Sequence, residues 1–240
     1  MIRFLEIKGI KMKSAHLIAI TLTALITGCG GGGGGSTSAT TSTLVSGKAM
    51  DGYLEKASVF LDLNDNGTYD SGEPFAETGS DGSYQFSVSP AELANTHAIV
   101  ALVKAGVTID KDNPNVTVSS SYSMTAPAGK SSTVTPITTL IAAKVSAGLS
   151  ASAAEAAVAT DLGITSSDAM DLYKDYINEK ATNPSYQKLH NLAAATTEAL
   201  KSVEQGGSSD VKQKLASVVS TFNSTVASRV SAIKNAASTS

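Results

Sequence analysis

The residues whose types and spacing could do chemistry lie in one run, Asp62-Leu63-Asn64-Asp65-Asn66-Gly67-Thr68-Tyr69-Asp70-Ser71-Gly72-Glu73. It fits the calcium-loop pattern D-x-[DN]-x-[DN]-G-x5-E at every specified position. A calcium ion takes about six to eight hard oxygens at roughly 2.3–2.6 Å. Asp62, Asn64 and Asn66, at alternate positions, can turn three side-chain oxygens toward one centre. Gly67 permits the sharp bend, after which Thr68 offers its backbone carbonyl. Asp70 ligates directly or through water, and Glu73 reaches back with both carboxylate oxygens. Asp65 occupies a position the pattern leaves free, so it adds negative field without contact. The competing reading is a plain hairpin turn built on Asn66-Gly67. Such a turn needs that dipeptide, but it needs neither Glu73 nor the other spaced oxygens. The expectation is therefore a Ca²⁺ site.

The flanks say what must hold such a loop. Ala57-Ser58-Val59-Phe60-Leu61 before it is rich in strand formers, and Pro74 after it opposes continuation into a helix. The loop is thus expected between strands, not between the two helices of an EF-hand. Tyr84, Phe86 and Val88 alternate with Ser83, Gln85 and Ser87, the period of a half-buried strand. Residues 44–49, 98–103 and 116–124 read as further strands, separated by turn clusters at Asp51-Gly52, 64–67, Ser80-Asp81-Gly82 and 110–115. Short strands at this spacing over 44–130 predict an all-β sandwich. From Thr135-Pro136, a capping hydroxyl followed by proline, the pattern turns helical. Helices are expected at 136–147, 152–162, 167–180 and 184–204. A last one over 211–233 carries Val211, Leu215, Val218, Phe222, Val226, Val230 and Ile233 at steps of three and four. Residues 131–240 thus read as a small α-helical bundle, separable from the sheet half at a Pro/Ser/Thr-rich junction near 125–135.

The combination of Gly47-Lys48-Ala49-Met50-Asp51-Gly52, the 57–62 segment, the loop with Gly72-Glu73-Pro74, and Asp81-Gly82-Ser83-Tyr84-Gln85-Phe86 resembles the B-type domains of bacterial surface adhesins. These are the collagen-adhesin and serine-aspartate-repeat B folds, prealbumin-like sandwiches in which calcium rigidifies the module. The resemblance spans about 80 residues, and the loop is its most specific part. It implies that a carboxylate from the Asp-Gly turn after the loop can join the site, which adds Asp81. The spaced Lys, Asn and acidic residue of a self-forming isopeptide bond are not found, so none is expected.

The first residues suggest where the protein works. Arg3, Lys8, Lys11 and Lys13 precede the apolar run 17–26, which is too short to span a bilayer and reads as a secretory signal. Ile26-Thr27-Gly28-Cys29 resembles the lipobox of bacterial lipoproteins, which implies a signal over 1–28 and lipidation of Cys29, with palmitate among the acyl chains. Met12 stands just before Lys13, and a start there would give a signal of more usual length. Residues 29–43 then form the lipidated cysteine and a Gly/Ser/Thr tether with a reach of about 20 Å. By the same family's sorting rule, Gly30 in place of Asp directs the protein to the outer membrane or cell surface of a Gram-negative host. Cys29 is the single cysteine, which excludes an intrachain disulfide and thiolate chemistry once it is acylated.

Of the 18 basic and 21 acidic residues, four and one fall in 1–29, leaving 14 and 20 and a net charge of −6. Residues 44–130 hold five basic and eleven acidic groups, so the excess acid sits beside the candidate cation loop. Without a basic patch, nucleic acid is not an expected partner. Asp110-Lys111-Asp112-Asn113-Pro114-Asn115 reads as an ordinary acidic turn, and His97 and His190 are too far apart in sequence to suggest zinc. No nucleophile elbow, phosphate loop or dinucleotide fingerprint follows a strand, so the chain is not expected to be an enzyme. The expected role is a membrane-anchored surface lipoprotein, structural or adhesive, with a surface protein or matrix as partner. The alternative is an envelope carrier or accessory subunit that uses its helices to hold a ligand or partner.

Overall fold

A computed structural model describes residues 42–92, 97–168, 170–206 and 210–236. The expected signal, Cys29 and nearly all of the tether lie outside these residues, so their assignment remains a matter of sequence. The described part runs sheet first and helix second, in the order the sequence implies. Its strands are β1 (Thr43–Ala49), β2 (Leu54–Glu55), β3 (Ser58–Asp62), β4 (Phe75–Glu77), β5 (Ser83–Val88), β6 (Ala98–Val103), β7 (Ile109–Asp110), β8 (Tyr122–Ala126) and β9 (Thr133–Val134). They form a four-stranded sheet in the order β4-β3-β6-β8, a three-stranded sheet in the order β5-β1-β9, and the two-stranded ribbon β2-β7.

Strand β3 carries the loop and is buried at all five positions. Its near-continuous apolar run allows this, since both faces find cover. Val59 and Leu61 enter the main core. Phe60, on the opposite face, meets the Tyr69 ring edge-on at 5.7 Å, and Tyr69 lies 4.9 Å from Phe75 of β4. The loop therefore folds back over its own strand, and Asp62, two residues beyond Phe60, shares that face.

Helices α1 (Pro136–Ser146), α2 (Ala151–Asp161), α3 (Tyr176–Glu179), α4 (Pro184–Gln205), α5 (Val211–Thr225) and α6 (Val230–Ala236) follow. Thr135 and Thr138 form a reciprocal capping box that starts α1, with Pro136 in its first turn. Residues 136 to 143 of α1 are all buried, because the sheet lies on one side of this helix and other helices on the rest. Two threonines tie it to β8: Thr138 Oγ1 donates to the Thr125 carbonyl at 3.0 Å, and the Thr125 amide donates to Thr139 Oγ1 at 2.9 Å.

The sequence expectation differs from the structure in several places, and the helix expected over 211–233 is one of them: a 3-10 turn at Ala227–Arg229 divides it into α5 and α6. The helix expected at 167–180 is broken into a 3-10 turn at Ser166–Asp168 and the four-residue α3. Asp168 accepts from the Thr165 amide, Asp171 from the Tyr173 amide and Asp175 from the Asn178 amide, and such local bonds compete with a continuous helix. In the strand expected at 116–124 only 122–124 is strand, extending to Ala126, while Thr117 makes an isolated bridge to Ile109. The division expected at residue 130 is not a break in the core, and the change from strand to helix comes after β9, at Thr135. Beyond it, β9 pairs in parallel with β1, Lys48 against Thr133 and Ala49 against Val134. Tyr176, fully buried, donates its hydroxyl to the carbonyls of Met50 and Asp51 at 3.0 and 3.1 Å. One apolar cluster runs from Ala49 to Val230, and the described residues form one compact unit.

A chain cut after residue 130 should therefore not fold by itself, since it loses β9, the α1 cover on β8 and the Tyr176 contact. Circular dichroism and proton spectra of such a fragment should show an unfolded chain, and the full chain should melt in one transition.

The junction also buries charge. Asp51 is 6 % exposed, and Tyr122 donates to its Oδ2 at 3.3 Å. Its Oδ1 has no hydrogen-bond partner among the described residues. Burial, reinforced by nearby Asp110, pushes its carboxyl from 3.8 up to about 6. The folded state thus binds this proton over a range where the unfolded chain has released it, and stability falls as pH rises through 6. Lowering pH from 7.5 to 5 should raise stability by about 1.4 kcal/mol relative to Asp51→Asn, which should lack that pH response, since one pH unit of the shift is worth about 1.4 kcal/mol and only the unit from 6 to 5 is crossed. Denaturation with urea at a series of pH values measures the difference.

Candidate metal centre

The loop begins where β3 ends. Asp62 is 2 % exposed and Glu73, at the far end, is 8 % exposed. Buried carboxylates need partners, and both obtain them from the backbone between. Asp62 accepts from the amides of Asn66 at 3.1 Å and Gly67 at 2.8 Å. Glu73 Oε1 accepts from Leu63 N–H at 2.9 Å, and Oε2 from Asp70 N–H at 3.0 Å, so its carboxylate straddles the loop. The bend places Asp65 and Gly67 in the left-handed region, at φ 59° and 71°. Asp tolerates that conformation better than most residues, and Gly without strain.

On the solvent side three side chains meet at one point. Asn64 Nδ2 and Asn66 Nδ2 donate to the same oxygen, Asp70 Oδ2, at 2.8 and 2.6 Å. These amide bonds hold the Asp70 carboxyl below the usual carboxylate range, Asn64 contributing most. Half a turn of each amide exchanges Nδ2 for Oδ1 and would present two acceptors in place of two donors. Positions 3, 5 and 9 of the pattern are therefore already gathered, and Asn66 Oδ1 also accepts from the Thr68 amide and hydroxyl at 2.7 Å each. The donor set, all oxygen and mixing carboxylates with amides, has the chemistry of a hard divalent cation site. Among the described residues no three His, Cys, Asp or Glu side chains converge as a metal-holding group. Any cation here would depend on the two asparagines.

Of the residues assigned from sequence, Asp62, Asn64, Asn66, Thr68, Asp70 and Glu73 are thus linked in one hydrogen-bonded loop. Asp81 is not linked to it. Strand β4 runs back along β3, with Phe60 opposite Phe75 and Ser58 opposite Glu77, so the chain reaches Asp81 at the other end of β3. Four residues of strand separate those ends, about 13 Å. Asp81 instead accepts from the Ser83 hydroxyl and amide at 2.6 and 3.2 Å and pairs with Lys48 at 3.8 Å. The Ser83 hydroxyl bond, foremost, lowers its carboxyl.

Sequence reasoning missed what the loop leans on. A Cβ on Gly67 would stand 2.7 Å from Val211 Cγ2, the first residue of α5. Asn66, Gly67 and Thr68 line a cavity of about 290 Å³ with Val211, Lys214 and Leu215. Asp62 and Asp65 line a second, of about 250 Å³, with Val211, Lys212 and Leu215. The apolar stripe of α5 signalled burial, but nothing in the sequence named its partner.

Gly67→Ala should destabilise the fold by at least roughly 1–2 kcal/mol, the cost of a left-handed non-glycine residue, with the Val211 clash added. Val211→Ala should relieve the clash but not the strain, so the double variant should be less destabilised than the two single losses summed. Urea denaturation of the four proteins measures the coupling.

Compared with family models, with curated proteins and with solved structures, the chain matches none, so the likeness to B-type adhesin domains stands on its motif residues alone.

Proposed function

We propose that the protein is a surface lipoprotein, held to the outer membrane through Cys29, whose sheet half is braced by calcium and serves a structural or adhesive role. The observation that carries the calcium reading is the gathering of Asn64, Asn66 and Asp70 at one oxygen, between the buried carboxylates of Asp62 and Glu73. Asp62, Asp65, Asp70 and Glu73 place four negative charges in twelve residues, and a cation relieves their repulsion. In this reading the sheet half is a prealbumin-like sandwich of the B-type adhesin kind. No helix among the described residues is long and apolar enough to cross a membrane; in this reading, lipid on Cys29 supplies the attachment. The Gly/Ser/Thr tether supplies the reach. Partners are a surface protein or matrix component. The two cavities beside the loop favour a second reading, in which the helices hold a small apolar ligand for an envelope complex.

A cation that binds only the folded loop stabilises it by RT ln(1 + [Ca]/Kd), about 2.7 kcal/mol at a hundredfold excess over Kd. Millimolar calcium should raise the melting temperature of the full chain, and magnesium should do much less, because it demands a smaller octahedral shell. Glu73→Gln should abolish most of the gain. Asp65→Asn, which keeps a residue tolerant of the left-handed bend, should abolish little. Equal behaviour of the two variants, or no shift in calorimetry, would remove calcium from the account. Anchoring is tested separately: Cys29→Ser should lose palmitate label and leave the membrane fraction, and undiminished label would refute the lipid site.

A further inference from the structure

The candidate loop is in contact with the helical half, and that contact is placed where a cation would act. Gly67 lies between Asn66 and Thr68, two positions of the calcium pattern, so the bend it makes follows how its neighbours are held. Val211 rests directly on that bend, close enough that a single added methyl at Gly67 would collide with it. Val211 is also the first residue of α5, whose N-terminal turn is set by Asp210 accepting from the Gln213 amide at 2.8 Å. Below it, Leu215 is 9 % exposed and lines both cavities with Val211, over the Val100 and Thr125 face of the four-stranded sheet.

The first turns of α5 therefore touch the protein through the loop on one side and the sheet on the other, with cavities left between. A helix end seated over voids has fewer packing contacts to hold it than one in a filled core. Lys214 on this turn is engaged by Glu204 of α4 at 3.0 Å, and Lys212 shares a cavity wall with Asp65. A cation in the loop weakens the pull of the loop carboxylates on such a lysine. Any tightening of α5 by the cation must then come through packing at Gly67, not through charge.

We infer that α5 reads the state of the calcium loop: a cation that fixes the Gly67 bend seats Val211 and the first turns of α5, and its loss loosens them. This inference rests on the calcium reading proposed above. Because coupling is reciprocal, an α5 that docks less well must also weaken calcium binding by the same factor.

Hydrogen exchange on the full chain, with and without millimolar calcium, tests this at the amides of Leu215 to Val218, the first of α5 with partners inside their own helix. Calcium should slow them about tenfold or more, while amides of α2, remote from the loop, slow markedly less. Val211→Ala should weaken calcium affinity several-fold by titration calorimetry. Val230→Ala, a valine buried at the other end of the helical hairpin beside Gly163, should leave it unchanged. If calcium protects residues 63–70 but α5 does not respond, or responds only as much as α2, the coupling is wrong and the calcium reading stands. Unchanged affinity in Val211→Ala has the same meaning. If no calorimetric heat appears and neither segment responds, both fall together.

Discussion

The structure turns on a carboxylate that has to be buried. Asp62 is the last residue of a strand whose five positions are all covered, and it keeps only 2 % of its surface. A charge so placed destabilises the fold unless hydrogen bonds or a counter-ion meet it. Its two oxygens take the amides of Asn66 and Gly67, and that requirement curls the chain back at once. The curl puts Asp65 and Gly67 into left-handed conformations, brings Tyr69 over Phe60, and sets Glu73 across the loop. Strand β4 then starts in register with β3. The same local requirement that shapes the proposed cation loop thus also caps a strand, covers its outer face and launches the next one.

The second organising feature is that sheet and helices were not built as separate bodies. Thr135 and Thr138 cap α1, and the hydroxyls of Thr138 and Thr139 bind it to β8. Tyr176 reaches the carbonyls of the Met50–Asp51 turn, and His190 of α4, stacked on Tyr176, meets Asp112 at 2.7 Å. Each bond satisfies a backbone or side-chain group that the fold has taken out of water. Asp51 is an exception, with one oxygen left without a hydrogen-bond partner among the described residues and its carboxyl raised to about 6. That residue makes the junction stronger in mild acid than at neutral pH.

Much of this is legible in the sequence because the signals are local. Alternation over Ser83–Val88, the apolar run of Ala98–Val103 and the threonine–proline start of α1 each specify their own element. The twelve-residue spacing of the loop specifies its donors in the same way. What escapes a local reading is carried by distant partners. Strands β2, β7 and β9 are two residues each and exist only because another segment pairs with them. The helix expected over 167–180 has helical composition, but Asp171 spends its carboxylate on the Tyr173 amide in a turn, and Asp175 caps a new start, so only the short α3 forms. Asp81 is a ligand candidate only through the resemblance to B-type adhesin domains. The direction of β4 carries it to Lys48 at the other end of the hairpin. The contact between Gly67 and Val211, 144 positions apart, has no sequence signal of its own.

The most direct test of the central claim is a high-resolution crystal structure grown in several millimolar calcium, with anomalous data. The account predicts an anomalous peak inside the loop, with oxygens of Asp62, Asn64, Asn66, Asp70 and Glu73 and the Thr68 carbonyl at about 2.3–2.6 Å. Both asparagine amides would be turned so that Oδ1 faces the ion, and Asp81 would remain with Lys48. A loop without a peak, in which Asn64 and Asn66 still donate to Asp70 at that calcium concentration, would contradict it.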